Sequence, residues 1–146
     1  MRQLILDTET TGLNPEEGHR IIEFAALEMI DRKLTGKYLQ MYINPKRPID
    51  PEATKIHGIT DNDVKDKPEF SSVAEQIIEF IQGAELIIHN AKFDLNFLDF
   101  QFKLHGHGIT NDFISGVVDT LILVFNSSSS MRRESDQPIT AHLLPQ

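Results

Sequence analysis

Leu4-Ile5-Leu6-Asp7-Thr8-Glu9-Thr10-Thr11-Gly12 is the stretch on which the reading of this chain turns. Three consecutive apolar residues run straight into two carboxylates. A short apolar run bounded by turn-forming residues suits a buried, central strand. Side chains two apart on a strand share a face, so Asp7 and Glu9 point the same way, roughly 7 Å apart along the strand. Two carboxylates so placed repel each other unless a cation lies between them. Magnesium, which takes carboxylates and water and needs few protein ligands, is suited to that place. Solvated acids at a loop would give the same pattern, so the pair acquires its meaning from the rest of the chain.

From there the pattern predicts a loop over Thr8–His19, carrying Gly12, Pro15 and Gly18, and a second strand over Ile21–Asp31. A turn over Lys33–Gly36 and a third strand over Tyr38–Ile43 follow. These connections are too short for crossover helices, so the three strands form an antiparallel meander. Asp50-Pro51-Glu52 starts a short helix, with Asp as cap and Pro at its first position, that stops near His57-Gly58. Ser72 and Glu75 have the spacing of a capping box. Val73, Ile77, Ile78 and Ile81 then share one face of a helix that Gly83 ends. Glu85–His89 reads as a fourth strand, and Asn90–Leu104 as a helix with Phe93, Phe97, Phe100 and Leu104 as its buried stripe. Ile114–Val118 is a fifth strand, and Asp119 opens another helix. The expectation is one α/β domain over residues 1–124 and an irregular tail over 125–146, where a serine run, Pro138 and Pro145 leave no clear period.

The chain has 146 residues, enough for a sizeable core. Its net charge of −8, from 14 basic and 22 acidic residues, argues against holding nucleic acid by a broad basic surface. It leaves room for an enzyme that grips a few nucleotides around cations, which reverse the local sign. With no cysteine, disulfides, thiolate catalysis and zinc–sulfur sites are excluded. No apolar run approaches membrane-spanning length. Met1 leads directly into a strand, so no leader peptide is expected and a cytoplasmic protein is the default.

Asp94 lies in the first turn of the helix that follows the fourth strand. It can serve there simply as an acid at the positive end of a helix. If strands one and four are neighbours, it can instead join Asp7 and Glu9, because α/β sites form where strands end and the next helices begin.

Asp7-Thr8-Glu9-Thr10-Thr11-Gly12-Leu13 resembles the first motif of the DnaQ-like, DEDD-type 3′–5′ exonucleases. Ile88-His89-Asn90-Ala91-Lys92-Phe93-Asp94-Leu95-Asn96-Phe97-Leu98 resembles the second, with Asp94 as its acid. Arg20-Ile21-Ile22-Glu23-Phe24-Ala25-Ala26, Pro51-Glu52-Ala53, Ile56-His57-Gly58-Ile59-Thr60, Gly83–Asn90 and Val117–Leu121 are similar to further family segments, in the same order. The resemblance covers about residues 1–124 and is nearest to the epsilon-type proofreading exonucleases of bacterial DNA polymerase III.

It implies a ribonuclease H-like α/β fold: a mixed sheet of three antiparallel N-terminal strands plus parallel strands, flanked by helices. It implies two divalent cations, Mg2+ or Mn2+, acting as a two-metal clamp on a phosphodiester, with Asp7 bridging both and Glu9 and Asp94 helping to hold them. Thr10, Thr11, Leu13 and His57 would approach the terminal nucleotide. Taken alone, Thr10 and Thr11 are turn formers, Leu13 a loop contact and His57 a helix end. The implied substrate is a single-stranded or frayed DNA 3′ end, releasing nucleoside monophosphates in a proofreading role, with a DNA polymerase catalytic subunit as partner.

The His-containing subgroup also carries a third motif, a His followed five residues later by an Asp, which supply the general base and the last metal ligand. Nothing after Val124 matches it. His142 is the only histidine beyond His107, and no acid follows it; Asp136 precedes it. His142 is therefore the one remaining candidate for the base, and most simply a tail histidine. Asp119 could substitute as a ligand, but its match is to a helix start. Loss of a general base costs roughly 10²–10⁴-fold. The expectations are a truncated or frameshifted C-terminal part, a divergent member, or a helix supplied by a partner chain. The alternative functions are the same fold acting on RNA 3′ ends, and an inactive exonuclease-like domain that at most binds metal or a partner.

Overall fold

The computed structural model describes residues 1–127. The apolar run heads β1 (Arg2–Thr10), which pairs antiparallel with β2 (Ile21–Ile30), which in turn pairs antiparallel with β3 (Lys33–Tyr42). Three helices follow: α1 (Pro51–His57), α2 (Asp61–Val64) and α3 (Phe70–Ile81). Then come β4 (Glu85–Ile88), α4 (Ala91–Leu104), β5 (Gly116–Asp119) and α5 (Thr120–Ser127). The sheet order is β3-β2-β1-β4-β5, with β4 parallel to β1 and β5 parallel to β4. This is the expected mixed sheet, and β1 and β4 are neighbours. No helix among the described residues is long and apolar enough to cross a membrane.

Leu4 and Leu6 of β1 pack with Phe24 and Ala26 of β2 and Leu86 and Ile88 of β4, beneath Val73, Ile77 and Ile81 of α3 and Phe97, Leu98 and Phe102 of α4. A smaller cluster of Ile22, Ile49, Ile59 and Val64 seats the segment that carries α1 and α2.

Four local expectations are corrected. β1 does not stop at Asp7. It runs on to Thr10 because β2 pairs with it that far, Asp7 opposite Ala25 and Glu9 opposite Glu23, before the register shifts between Glu9 and Thr10. The β2–β3 turn is not Lys33–Gly36 but Asp31 and Arg32, both left-handed at φ 51° and 68°, the geometry of a two-residue hairpin turn. Gly36, at φ 88°, lies where the β2–β3 register shifts, and a bulge in a strand resembles a turn in sequence. α3 starts at Phe70 with Glu69 as its cap residue, so Ser72 is already helical. The buried Phe70 ring, 5.5 Å from that of Phe102, draws this first turn onto the core. The buried face of α4 is Ala91, Asp94, Phe97, Leu98, Gln101 and Phe102. Leu104 is exposed, and Phe100 lies under the Arg20 guanidinium at 4.9 Å.

Candidate active site

Asp7 and Glu9 project from the C-terminal half of β1, and Asp94 from the first turn of α4. One residue ties them together. Thr8, between the two strand acids, donates its backbone N–H to Asp94 Oδ1 at 3.2 Å, and its hydroxyl donates to the same oxygen. The other end of this arrangement is fixed by Asp119. Its carboxylate accepts from the N–H groups of Asn90 at 3.1 Å, Ala91 at 3.0 Å and Leu121 at 2.9 Å. Asp119 thus caps the start of α4, where Asn90 holds a left-handed turn at φ 63°, and is committed to the backbone.

The acids feel one another. Burial, then the charges of Asp7, Glu23 and Asp94, raise Glu9 to about 8. Burial raises Asp94 to about 7, with Asp7 adding to the rise and the Thr8 hydroxyl opposing it. Desolvation and like charge both disfavour the ionised forms, and a bound cation would relieve both. All-carboxylate donors suit a hard divalent ion. Among the described residues, however, no three acidic or imidazole side chains converge tightly enough to hold an ion by themselves. The chemistry of the donors fits a cation; a closed shell is not formed by these residues alone.

A cleft of about 420 Å³ opens beside Glu9, with one wall made by Thr8, Glu9, Thr10, Gly12 and Leu13 of β1 and the loop after it, another by Asp50, Glu52, Ala53, Ile56 and His57 of the segment that carries α1, and Phe93 of α4 completing it. Of the expected residues it gathers Glu9, Thr10, Leu13 and His57. His57 Nδ1 accepts the Ile59 N–H at 3.0 Å, so Nε2 carries the hydrogen and donates to the Thr10 carbonyl at 3.1 Å. The Thr10 hydroxyl donates to the Gly12 carbonyl at 2.6 Å. Thr11 does not line the cleft. It is fully buried, and its hydroxyl meets His19 and the Arg20 amide. His142 lies outside the described residues.

Ala53, Ile56 and Phe93 also line the cleft: the sequence placed Ala53 and Ile56 in segments similar to the family's and Phe93 in the buried stripe of α4, and named none of them as a substrate contact. Ile56 and Leu13, which both line the cleft, are 82% and 81% exposed. Large apolar side chains left in water around a cleft mark a binding surface. The available signal was the resemblance of Pro51-Glu52-Ala53 and Ile56-His57-Gly58-Ile59-Thr60 to family segments, which the structure places on a helix that buries none of its residues.

The sequence model of the exonuclease family (RNase_T) matches residues 4–146, reaching past residue 124 where the recognisable motifs stop. DNA polymerase III subunit epsilon of Pasteurella multocida is 56% identical over 124 residues, covering 82% of this chain and 49% of the relative. The protein of the same name from Escherichia coli is 45% identical over 141 residues, covering 92% and 58%. The chain thus spans about half the length of the curated relatives it matches. Among solved structures, exonuclease X in complex with 5′-overhanging duplex DNA superposes with a TM-score of 0.65 at 29% identity, covering 89% of this chain and 66% of that one. The strand order, the acids on β1 and α4 and these matches lead to one conclusion: the chain belongs to the exonuclease family, in its DnaQ-like, epsilon-type branch.

Proposed function

We propose that this chain is a metal-dependent 3′–5′ exonuclease that releases nucleoside monophosphates from DNA 3′ ends in a proofreading role. The observation that carries the reading is Glu9, which belongs both to the mutually repelling acids and to the cleft wall. A terminal nucleotide seated in the cleft would therefore present its phosphodiester to the acids. Asp7, Glu9 and Asp94 would hold two divalent cations, Mg2+ or Mn2+, which when bound supply an activated water and stabilise the leaving oxygen. Leu13 and Ile56 would flank the base. The Thr10 backbone, fixed by His57, would set the floor beneath the sugar. His142 is the only histidine left in the tail to act as general base. A DNA polymerase catalytic subunit is the partner that accords with the relatives' name, and the location that goes with this reading is cytoplasmic.

The lack of three converging ligands among the described residues favours a second reading, an inactive domain that binds metal or a partner without cleaving. The test incubates the full chain with a 5′-labelled single-stranded DNA oligonucleotide in Mg2+, Mn2+ or EDTA, beside Asp7→Asn and a matched RNA oligonucleotide. Stepwise shortening from the 3′ end, abolished by EDTA and reduced at least roughly 10²-fold in Asp7→Asn, is expected. Calorimetric Mn2+ binding with no shortening in either metal would favour the inactive domain, and faster shortening of RNA would reassign the substrate.

A further inference from the structure

We infer that His19 is a positioning residue that sets the separation of the two cleft walls and thereby the fit of the terminal nucleotide; this rests on the reading of the cleft proposed above. His19 belongs to neither apolar core cluster, yet it is only 7% exposed. Its ring lies flat against Gly12, where an added Cβ would fall 2.3 Å from Cε1 and 2.4 Å from Nδ1. Nδ1 lies 2.8 Å from the Thr11 hydroxyl, which accepts the Arg20 N–H at 3.0 Å. At the other end of the ring, Nε2 lies 3.5 Å from Asp50 Oδ2, a polar contact longer than a hydrogen bond. The Asp50 N–H closes the circuit by donating to the Thr11 carbonyl at 2.9 Å.

This circuit joins two segments far apart in sequence. Thr11 and Gly12 begin the loop that presents Leu13. Asp50 is the cap residue of α1, which presents Ala53, Ile56 and His57. Gly12 and Asp50 themselves line the cleft. Outside this circuit the two walls share the His57–Thr10 bond. Removing the imidazole would leave α1 tied to the loop after β1 only by the Asp50–Thr11 and His57–Thr10 bonds, with no side chain filling the space between them, so that α1 can shift against Leu13 while the sheet that carries Asp7 and Glu9 stays in place. The consequence falls on substrate fit and not on the chemical step.

The circuit also explains Gly12 without any appeal to backbone freedom, since Gly12 is not left-handed. Gly12→Ala should displace the ring, and should be nearly silent once the ring is gone. The two substitutions therefore form a cycle whose coupling measures the contact.

The experiment combines amide hydrogen exchange of the full chain with steady-state kinetics on a single-stranded DNA oligonucleotide in Mn2+. In His19→Phe, which keeps a flat ring and loses both polar ends, the Asp50 and Arg20 amides should exchange roughly tenfold faster while amides inside α4 keep their rates. KM should rise roughly tenfold with kcat within about twofold. His19→Gln, with a donor and an acceptor, should recover most of both. Gly12→Ala should mimic His19→Ala alone and add little to it. Unchanged exchange at Asp50 and Arg20, a loss of protection spread over the whole chain, a fall in kcat at constant KM, or additive Gly12→Ala and His19→Ala would each overturn the inference. Should the unmodified chain release no nucleotide, the proposed function fails, and the exchange rates and the Gly12–His19 cycle read by exchange still decide this inference.

Discussion

Thr8 stands between the two acids of β1 and directs both its amide and its hydroxyl to Asp94. The three carboxylates are thus held near one another by the fold, at a cost that appears as proton affinity. The sign of the pH dependence follows. Glu9 and Asp94 are raised to about 8 and about 7 from ordinary values of 4.5 and 3.8, so between those limits the folded chain keeps protons that the unfolded chain has released. Their contribution to stability is complete below about pH 4 and is lost as pH rises through 7 to 8. Thermal melts in EDTA should therefore show a Tm that falls from pH 5 to pH 9 more steeply than in a Glu9→Gln/Asp94→Asn variant. Parallel profiles for the two would refute this account. Mn2+ should raise Tm far more at pH 8.5 than at pH 5, since cation and proton compete for the same oxygens. At this level the sequence was informative. The i, i+2 spacing places Asp7 and Glu9 on one face because strand geometry is local. The Thr8–Asp94 bond was invisible because it spans 86 residues.

α4 shows how far an element can be read and where reading stops. Its span follows from its run of helix-compatible residues, and Asn90–Leu104 was expected against Ala91–Leu104 observed. Its buried face was misjudged. Phe93, Phe97, Phe100 and Leu104 have helical spacing, but so do Asp94, Phe97, Leu98, Gln101 and Phe102 in this aromatic-rich helix. The choice between faces was made by other elements, through the Phe70 and Phe113 rings 5.5 and 5.6 Å from Phe102. Phe102→Ala should cost about 3–5 kcal/mol in urea unfolding, whereas Leu104→Ala should stay within about 0.5 kcal/mol. Similar losses for the two would restore the expected stripe. The start of α4 offers a sharper test. As a cap, Asp119 should cost about 1–2 kcal/mol when replaced by Ala, whether or not metal is present. If it were a metal ligand, the loss would appear only in Mn2+, as reduced metal stabilisation with EDTA melts unchanged.

Across the molecule, β1 lies at the centre of the sheet and delivers Asp7 and Glu9 to its edge, while the loop after it, α1 and α4 close a cleft around Glu9. No broad basic surface is expected of a chain with net charge −8. Binding to single-stranded DNA with a phosphorothioate 3′ end should therefore need Mg2+ and show a shallow salt dependence, equivalent to about 1–3 phosphates. Metal-independent binding with a slope of six or more would contradict this. Composition, the strand–helix order, the antiparallel meander and the positions of Asp7, Glu9 and Asp94 were determined by the sequence alone, because hydrophobic period, turn chemistry and motif spacing act over a few residues. The cleft was not. His57 meets Thr10 across 47 residues, Ile56 and Leu13 come from the same two segments to line one cleft, and Thr11, grouped by sequence with the substrate contacts, turns inward to His19. Which side chains share a wall depends on how α1 and the β1–β2 loop dock, and that docking is set by contacts between segments whose separation along the chain carries no periodic signal.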